Sequence, residues 1–285
     1  MNTAASPSSS SRSNGPWSSR APRSVRPREV RLATDLSAYL APTTMCDADH
    51  PAVRHVATEV TRGARTQREA AVALFYWVRD EVAYTMGDWS WRASDTLAMR
   101  LGTCSNKSNL MVAMARAIGI PAGFHVQYVE TSSYFSGGFI PMVEAIARDV
   151  AIHVYVSLFL DGRWVRCDPT DDLALCEAIE AFVPHAKALE FDGEHDAVIP
   201  FAAGSIQSDR GPLADIDGQL SRPARIEEGQ KRMFAAYVAY MREHGTAYGA
   251  DAPAQRLRIE DDFRRHLAET EPVAWAAVTE QRRAS

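Results

Sequence analysis

The chain has 285 residues, 46% of them hydrophobic and 24% charged, with a formal net charge of −5. That balance is expected of a soluble globular protein long enough to bury a sizeable core. It predicts no basic surface for nucleic acid, and no apolar stretch nears the roughly 20 residues of a membrane span.

Residues 1–28 hold nine serines, four prolines and five arginines, with no acid before Glu29. Such a stretch buries too little apolar surface to order itself, so a disordered tail is expected. Its acid-poor, arginine-rich character also suits an organelle transit peptide, but it carries no amphipathic apolar stripe. Thr66-Gln-Arg-Glu69 has the capping-box pattern that opens a helix. Ala71, Leu74, Phe75, Val78 and Val82 then recur at helical spacing, which makes one face core. A second helix is predicted from near Cys104, turning Leu110, Met111, Met114 and Ile118 inward and stopping at Gly119 before Pro121.

FHVQYV (124–129) is expected to be a strand, and 131–148 a loop or lid. IHVYVSLFL (152–160), Asp161-Gly162 and RWVRCDPT together form a β-hairpin signature. From 170 to about 223 the pattern is loop-rich. Amphipathic helices close the chain, one with Ile226, Gln230, Phe234, Tyr237 and Met241 along a face, another from Leu257 to Arg283 broken near Pro272. Helices first and sheet second predict an α+β fold.

The four cysteines, Cys46, Cys104, Cys167 and Cys176, form no CxxC pair, so no structural zinc is expected. With no signal peptide evident, they are expected as reduced thiols in a cytoplasm. Each alone is ordinarily a small buried hydrophobe. Cys104, however, stands where unpaired backbone N–H groups and the positive end of a helix dipole favour thiolate. In the hairpin, a two-residue turn sets Leu160 opposite Arg163 and Tyr155 opposite Asp168. His153, Tyr155 and Asp168 then share one face, and Asp168 is the diagonal neighbour of His153 at roughly 7–8 Å between backbones. Ile152, Val154, Val156, Leu158, Val165 and Cys167 fall on the opposite, apolar face. Cys104 as nucleophile, His153 as general base and acid, and Asp168 as its orienter make one set.

These residues carry a resemblance to the transglutaminase-like superfamily, whose fold is papain-like. SDTLAMRLGTCSNKSNLMVAMARAIGIPAGF (94–124) resembles the family's cysteine helix, and HVYVSLFLDGRWVRCDPT (153–170) its histidine–aspartate hairpin. The resemblance places the triad on Cys104, His153 and Asp168. It extends to a bacterial subgroup with a lysine three residues after the cysteine, here Lys107, and a following stretch like 175–201. Asn106 stands where relatives often have an acid. Ser105 follows the cysteine and no calcium loop is evident, unlike the eukaryotic crosslinking enzymes, so calcium-dependent protein crosslinking is not expected.

The regions expected are thus a tail over 1–28, a transglutaminase-like catalytic domain over 29–223 and a helical extension over 224–285. The activity expected is acyl transfer at an amide or thioester, ending in hydrolysis or amide formation. Its alternatives are a cysteine peptidase and a non-catalytic domain that binds a peptide or partner. The expected substrate is a small molecule, a peptide or a carrier-bound acyl group, with no cofactor, metal, nucleic acid or membrane. Lys107 either supports the thiolate or a substrate carboxylate, or is a solvated helix residue. Trp89 and Trp91 either wall a cleft or pack on the helix at 66–84. Tyr155 either packs on the imidazole or binds substrate. Asp192, Glu194, His195 and Asp196 are expected as a hydrated turn around Gly193.

Overall fold

Thr66 caps a helix as its position predicts: its Oγ1 accepts the Glu69 N–H at 3.1 Å. The Glu69 carboxylate reaches back one residue further than a capping box requires, to the Arg65 N–H. The computed structural model of the chain describes residues 35–134, 140–145, 149–180, 187–221 and 227–276. The tail expected at 1–28 lies outside the described residues, and the connection 131–148 is described only in part.

The first helices are α1 (Pro51–Val60), α2 (Gln67–Glu81), α3 (Ala93–Met99) and α4 (Cys104–Ala117). A parallel two-residue pair, β1 (Ala83–Tyr84) with β2 (Leu101–Gly102), brings the end of α2 beside the start of α4. In α2, Ala71, Leu74, Phe75 and Val78 are buried, as their spacing predicts. Helix α4 is different: every residue from Cys104 to Arg116 is buried, so it runs through the middle of the molecule. It stops where Gly119 takes φ +80°, with the Ile120 N–H turned back onto the Ala115 carbonyl. The Arg116 guanidinium, buried in its last turn, donates to the carbonyls of Ala41, Ala122 and Ala214 and so fastens three segments around that end.

One face of an antiparallel sheet packs on α4. Its strands are β3 (Ala122–Glu130), β4 (Val150–Leu160), β5 (Arg163–Cys167) and β6 (Ile206–Leu213), in the order β5-β4-β3-β6. Short helices α5 (Thr131–Tyr134) and α6 (Pro141–Glu144) lie between β3 and β4. The β4–β5 turn is Asp161-Gly162, both at positive φ (50° and 83°), the geometry that suits a two-residue hairpin. The pairs Leu160–Arg163, Phe159–Trp164 and Leu158–Val165 follow from it. Phe124, Val126, Val154, Val156, Leu158, Val165 and Cys167 point into the core with Leu110, Met111 and Met114.

The stretch from 170 to 223 holds more structure than its pattern predicts: α7 (Leu173–Ile179), β6 and α8 (Asp217–Leu220). Strand β6, IQSDRGPL, is an edge strand with mostly exposed side chains, so it lacks the alternation that marks a buried strand. Helices α9 (Glu228–His244) and α10 (Arg256–Thr270) build a second apolar core from Phe234, Tyr237, Val238, Phe263 and Leu267. Tyr84, Ile140, Met142, Val143 and Leu175 complete that core, so these helices pack on the chain that precedes them. Among the described residues no helix is long and apolar enough to cross a membrane.

Candidate active site

The hairpin register carries His153 and Asp168 to the same face, as its turn predicts. The His153 Nε2 and an Asp168 carboxylate oxygen lie 2.6 Å apart. The other oxygen of Asp168 accepts the Thr170 N–H and hydroxyl, which fixes the carboxylate's orientation. With Nε2 committed to Asp168, Nδ1 is the ring nitrogen left for the Cys104 thiol, and thiol and imidazole each act on the other's proton affinity.

Two local devices deliver the cysteine. Thr103 caps α4 through the Asn106 N–H, and the Asn106 side-chain oxygen accepts the Thr103 N–H at 3.0 Å. The Asn106 amide also donates to the Asp88 carbonyl at 3.0 Å, a bond that a carboxylate at this position could not make. The second device is a missing strand pair. Val154 lies two residues beyond the last β4–β5 pair, Val156–Cys167. There the first turns of α4 stand in for a strand: the Val154 carbonyl accepts from Ser108 Oγ, and the Val154 N–H favours charge on the Cys104 sulfur.

All four cysteines are free and buried. Burial pushes Cys46 up to about 12 and raises Cys167 and Cys176 as well. Burial acts on Cys104 in the same direction, but His153 and the Val154 N–H outweigh it and hold this thiol below its ordinary value. Burial also opposes charge on His153, and Asp168 overcomes it, lifting the imidazole well above its usual range. The two shifts together favour thiolate beside imidazolium. The three side chains are enclosed, with Cys104 6%, His153 1% and Asp168 2% exposed.

Lys107 does not face a cleft or solvent. It is wholly buried, and its ammonium donates to the Arg79 carbonyl at 2.9 Å. That carbonyl belongs to the last turn of α2, so Lys107 closes the C-terminus of a neighbouring helix. Burial brings its pKa down to about 8. Tyr155 packs beside the imidazole, ring centroids 6.0 Å apart and planes 20° from parallel. Its hydroxyl donates to Asp209 on β6, which also holds His125 and Gln127. Trp89 and Trp91 are half-buried in the segment between β1 and α3. Asn106 fastens that segment to α4 at Asp88, and the Trp91 indole lies against Gly87, where a Cβ would come within 2.9 Å of it.

Asp192, Glu194 and His195 form the turn expected around Gly193. Asp192 accepts the N–H groups of Glu194 and His195, and Asp196 pairs with Arg166. Among the described residues no group of His, Cys, Asp and Glu has the arrangement of a metal site. Sequence reasoning missed Phe201, whose ring meets His153 edge-on at 5.5 Å, and Asp209, which sits in a polar edge strand without any pattern. It also missed Asp171, which burial pushes up to about 6 beside Lys107 and His153, and its neighbour Asp172. Both of those were visible in the run DPTDD.

The family described as the transglutaminase-like superfamily matches residues 54–169. That span holds Cys104, His153 and Asp168 and leaves Asp172, Asp209 and Arg242 outside. A solved structure from Cytophaga hutchinsonii, named as a candidate cysteine protease, is similar over 64% of this chain. The match has 20% sequence identity and a TM-score of 0.39, and it spans only 53% of that protein's chain. No curated protein matches. Residues 54–169 are thus similar to the transglutaminase-like superfamily.

Proposed function

We propose that this protein is a thiol enzyme that transfers an acyl group from an amide or thioester through an acyl-enzyme on Cys104. The observation that carries this reading is the difference among four buried cysteines: only Cys104 has its thiol lowered, by an imidazole seated on a buried carboxylate. In the reaction, the Cys104 thiolate attacks the carbonyl carbon and its oxygen becomes an oxyanion. The N–H groups of Cys104 and Ser105 precede the first intrahelical bond, Lys107 N–H to Thr103 carbonyl, and are the donors suited to that oxyanion. The C–N or C–S bond then breaks as the His153 imidazolium gives its proton to the departing amine or thiol. Water or an amine attacks the acyl-enzyme next, passing a proton to His153, and the C–S bond to Cys104 breaks to restore the thiolate.

Asp168 keeps the ring oriented and supports its charge throughout. Water as acceptor makes the enzyme a peptidase or amidase; an amine makes it an amide synthase or transamidase. The enclosure of Cys104 suits a slender acyl donor: a small molecule, a peptide or an acyl group on a carrier arm. Four unpaired thiols are in keeping with a reducing compartment such as the cytoplasm.

Short acyl thioesters of N-acetylcysteamine, offered with and without a primary amine, test the proposal by intact-protein mass spectrometry. Wild type is expected to gain one acyl mass, lose it to hydroxylamine and yield an amide when the amine is present. Cys104→Ala is expected to gain none. Absence of an acyl adduct and of any turnover across thioester and amide panels would overturn the proposal and favour a binding domain.

A further inference from the structure

Arg242, on the last turn of α9, lies 73 residues beyond the end of the family-matched segment. It meets the carboxylate of Asp172 with a fork: Nε to one oxygen at 3.2 Å and Nη2 to the other at 2.7 Å. Asp172 spends its remaining acceptor capacity inside the fold, on the Tyr84 N–H at 2.8 Å and the Leu175 N–H at 2.9 Å. Nη2 of Arg242 returns to the Tyr84 carbonyl at 2.9 Å. Both backbone groups of Tyr84 and both oxygens of Asp172 are therefore held by one partly buried cluster.

What this cluster joins is specific. Asp172 lies four residues after Asp168, across Pro169, whose φ is fixed, and Thr170, which is itself bonded to Asp168. Tyr84 lies on β1, paired with Gly102 of β2, and β2 runs directly into Thr103 and Cys104. The fork thus ties the loop that bears Asp168 to the strand pair that delivers Cys104. Helix α9 does not depend on the fork for its seat. Phe234, Tyr237, Val238 and Met241 already bury its apolar face against Tyr84, Ile140 and Leu175.

We propose that the C-terminal helices complete the site, with Arg242 a positioning residue that acts through Asp172 to hold Asp168 against His153. This inference rests on the acyl-transfer reading of Cys104, His153 and Asp168. The ionisable groups that act on His153 are Asp168 and Asp171, from the segment after β5, and Cys104 from α4. Those that act on Asp172 include Arg242 and Lys107.

The sign of the expected effect separates positioning from simple charge. Removing a cation near the site, by itself, would make the imidazolium easier to keep. Loosening Asp168 makes it harder to keep. The test is the pH profile of Cys104 alkylation by iodoacetate, an anion whose reaction slows when the imidazolium beside the thiolate loses its proton, in wild type, Arg242→Met, Arg242→Lys and Asp172→Asn, with thermal unfolding as the check on folding. The alkaline limb, where His153 loses its proton, is expected to move down by about one pH unit in Arg242→Met, the low end of what a contacting opposite charge confers, against the sign that charge alone would give; Asp172→Asn, which also removes an anion, is expected to move it down at least as far. Arg242→Lys keeps the charge but not the fork, and is expected to move the limb in the same direction by less. It also keeps the test decisive if Arg242→Met does not fold. An unchanged or raised limb in folded variants would overturn this inference and leave the acyl-transfer reading standing. Wild-type Cys104 that labels like an ordinary thiol would overturn both.

Discussion

Asp168→Asn is expected to slow acylation of Cys104 about 100-fold at neutral pH while leaving the protein folded. The carboxylate is the strongest group acting to raise His153, against a burial that opposes its charge. An opposite charge in contact is worth about 1–3 pKa units, and the amide replacement keeps a hydrogen-bond acceptor but no charge. The thiolate–imidazolium pair exists between the lowered thiol pKa and the raised imidazole pKa. Asp168→Asn brings the upper limit down, so the pair gives way to neutral thiol and neutral imidazole. Without imidazolium beside it, Cys104 is left to burial, which pushes the other three thiols up. Rates of acylation or alkylation between pH 5 and 10 measure this directly. A profile unchanged from wild type would show that Asp168 only packs.

Lys107→Ala is expected to cost stability and not chemistry. Removing this wholly buried side chain leaves a cavity and an unmet Arg79 carbonyl. Truncations of long buried side chains cost about 2–5 kcal/mol, so a loss of about 3 kcal/mol is expected. In a chain of this size that lowers Tm by roughly 6–12 °C. Lys107→Met keeps the packing and removes a charge that burial penalises, so its Tm is expected within a few degrees of wild type. The pH dependence gives a sharper signature. Lys107 titrates at about 8 when folded against an ordinary value of 10.5. The unfolded chain therefore holds the proton more tightly, and wild type gains stability from this group as pH rises between those values. The difference in Tm between wild type and Lys107→Met should follow that window. A folded Lys107→Met whose Cys104 alkylates tenfold more slowly would instead assign the lysine to the thiolate.

The hairpin was legible because its turn dictates its register: Asp161-Gly162 allows a two-residue connection, and every pair down to Val156–Cys167 follows. The start of α4 was legible because Thr103 and Cys104 stand at the head of an apolar run. What periodicity could not convey is that α4 is surrounded. Ser105, Asn106, Lys107, Ser108 and Asn109 look like a solvated face, yet all are buried, with the 85–92 segment, the end of α2 and β4 supplying partners for Asn106, Lys107 and Ser108, and Met45 for Asn109. Strand β6 was hidden by its polarity, since an edge strand with exposed side chains has no core face to mark it. The Arg242–Asp172 fork spans 70 residues between two positions that local pattern gives no reason to join.

The most direct test of the central claim is the pH dependence of iodoacetamide alkylation at each cysteine, read by peptide mass spectrometry in wild type and His153→Ala. Ordinary thiols titrate near pH 8.5, whereas activated ones fall to roughly 3.5–7.5. Cys104 is expected to label rapidly well below pH 8 while Cys46, Cys167 and Cys176 stay unmodified. His153→Ala is expected to abolish that labelling. Cys104 labelling no faster than an ordinary thiol, and unchanged in His153→Ala, would contradict the account and leave the cysteine a structural residue.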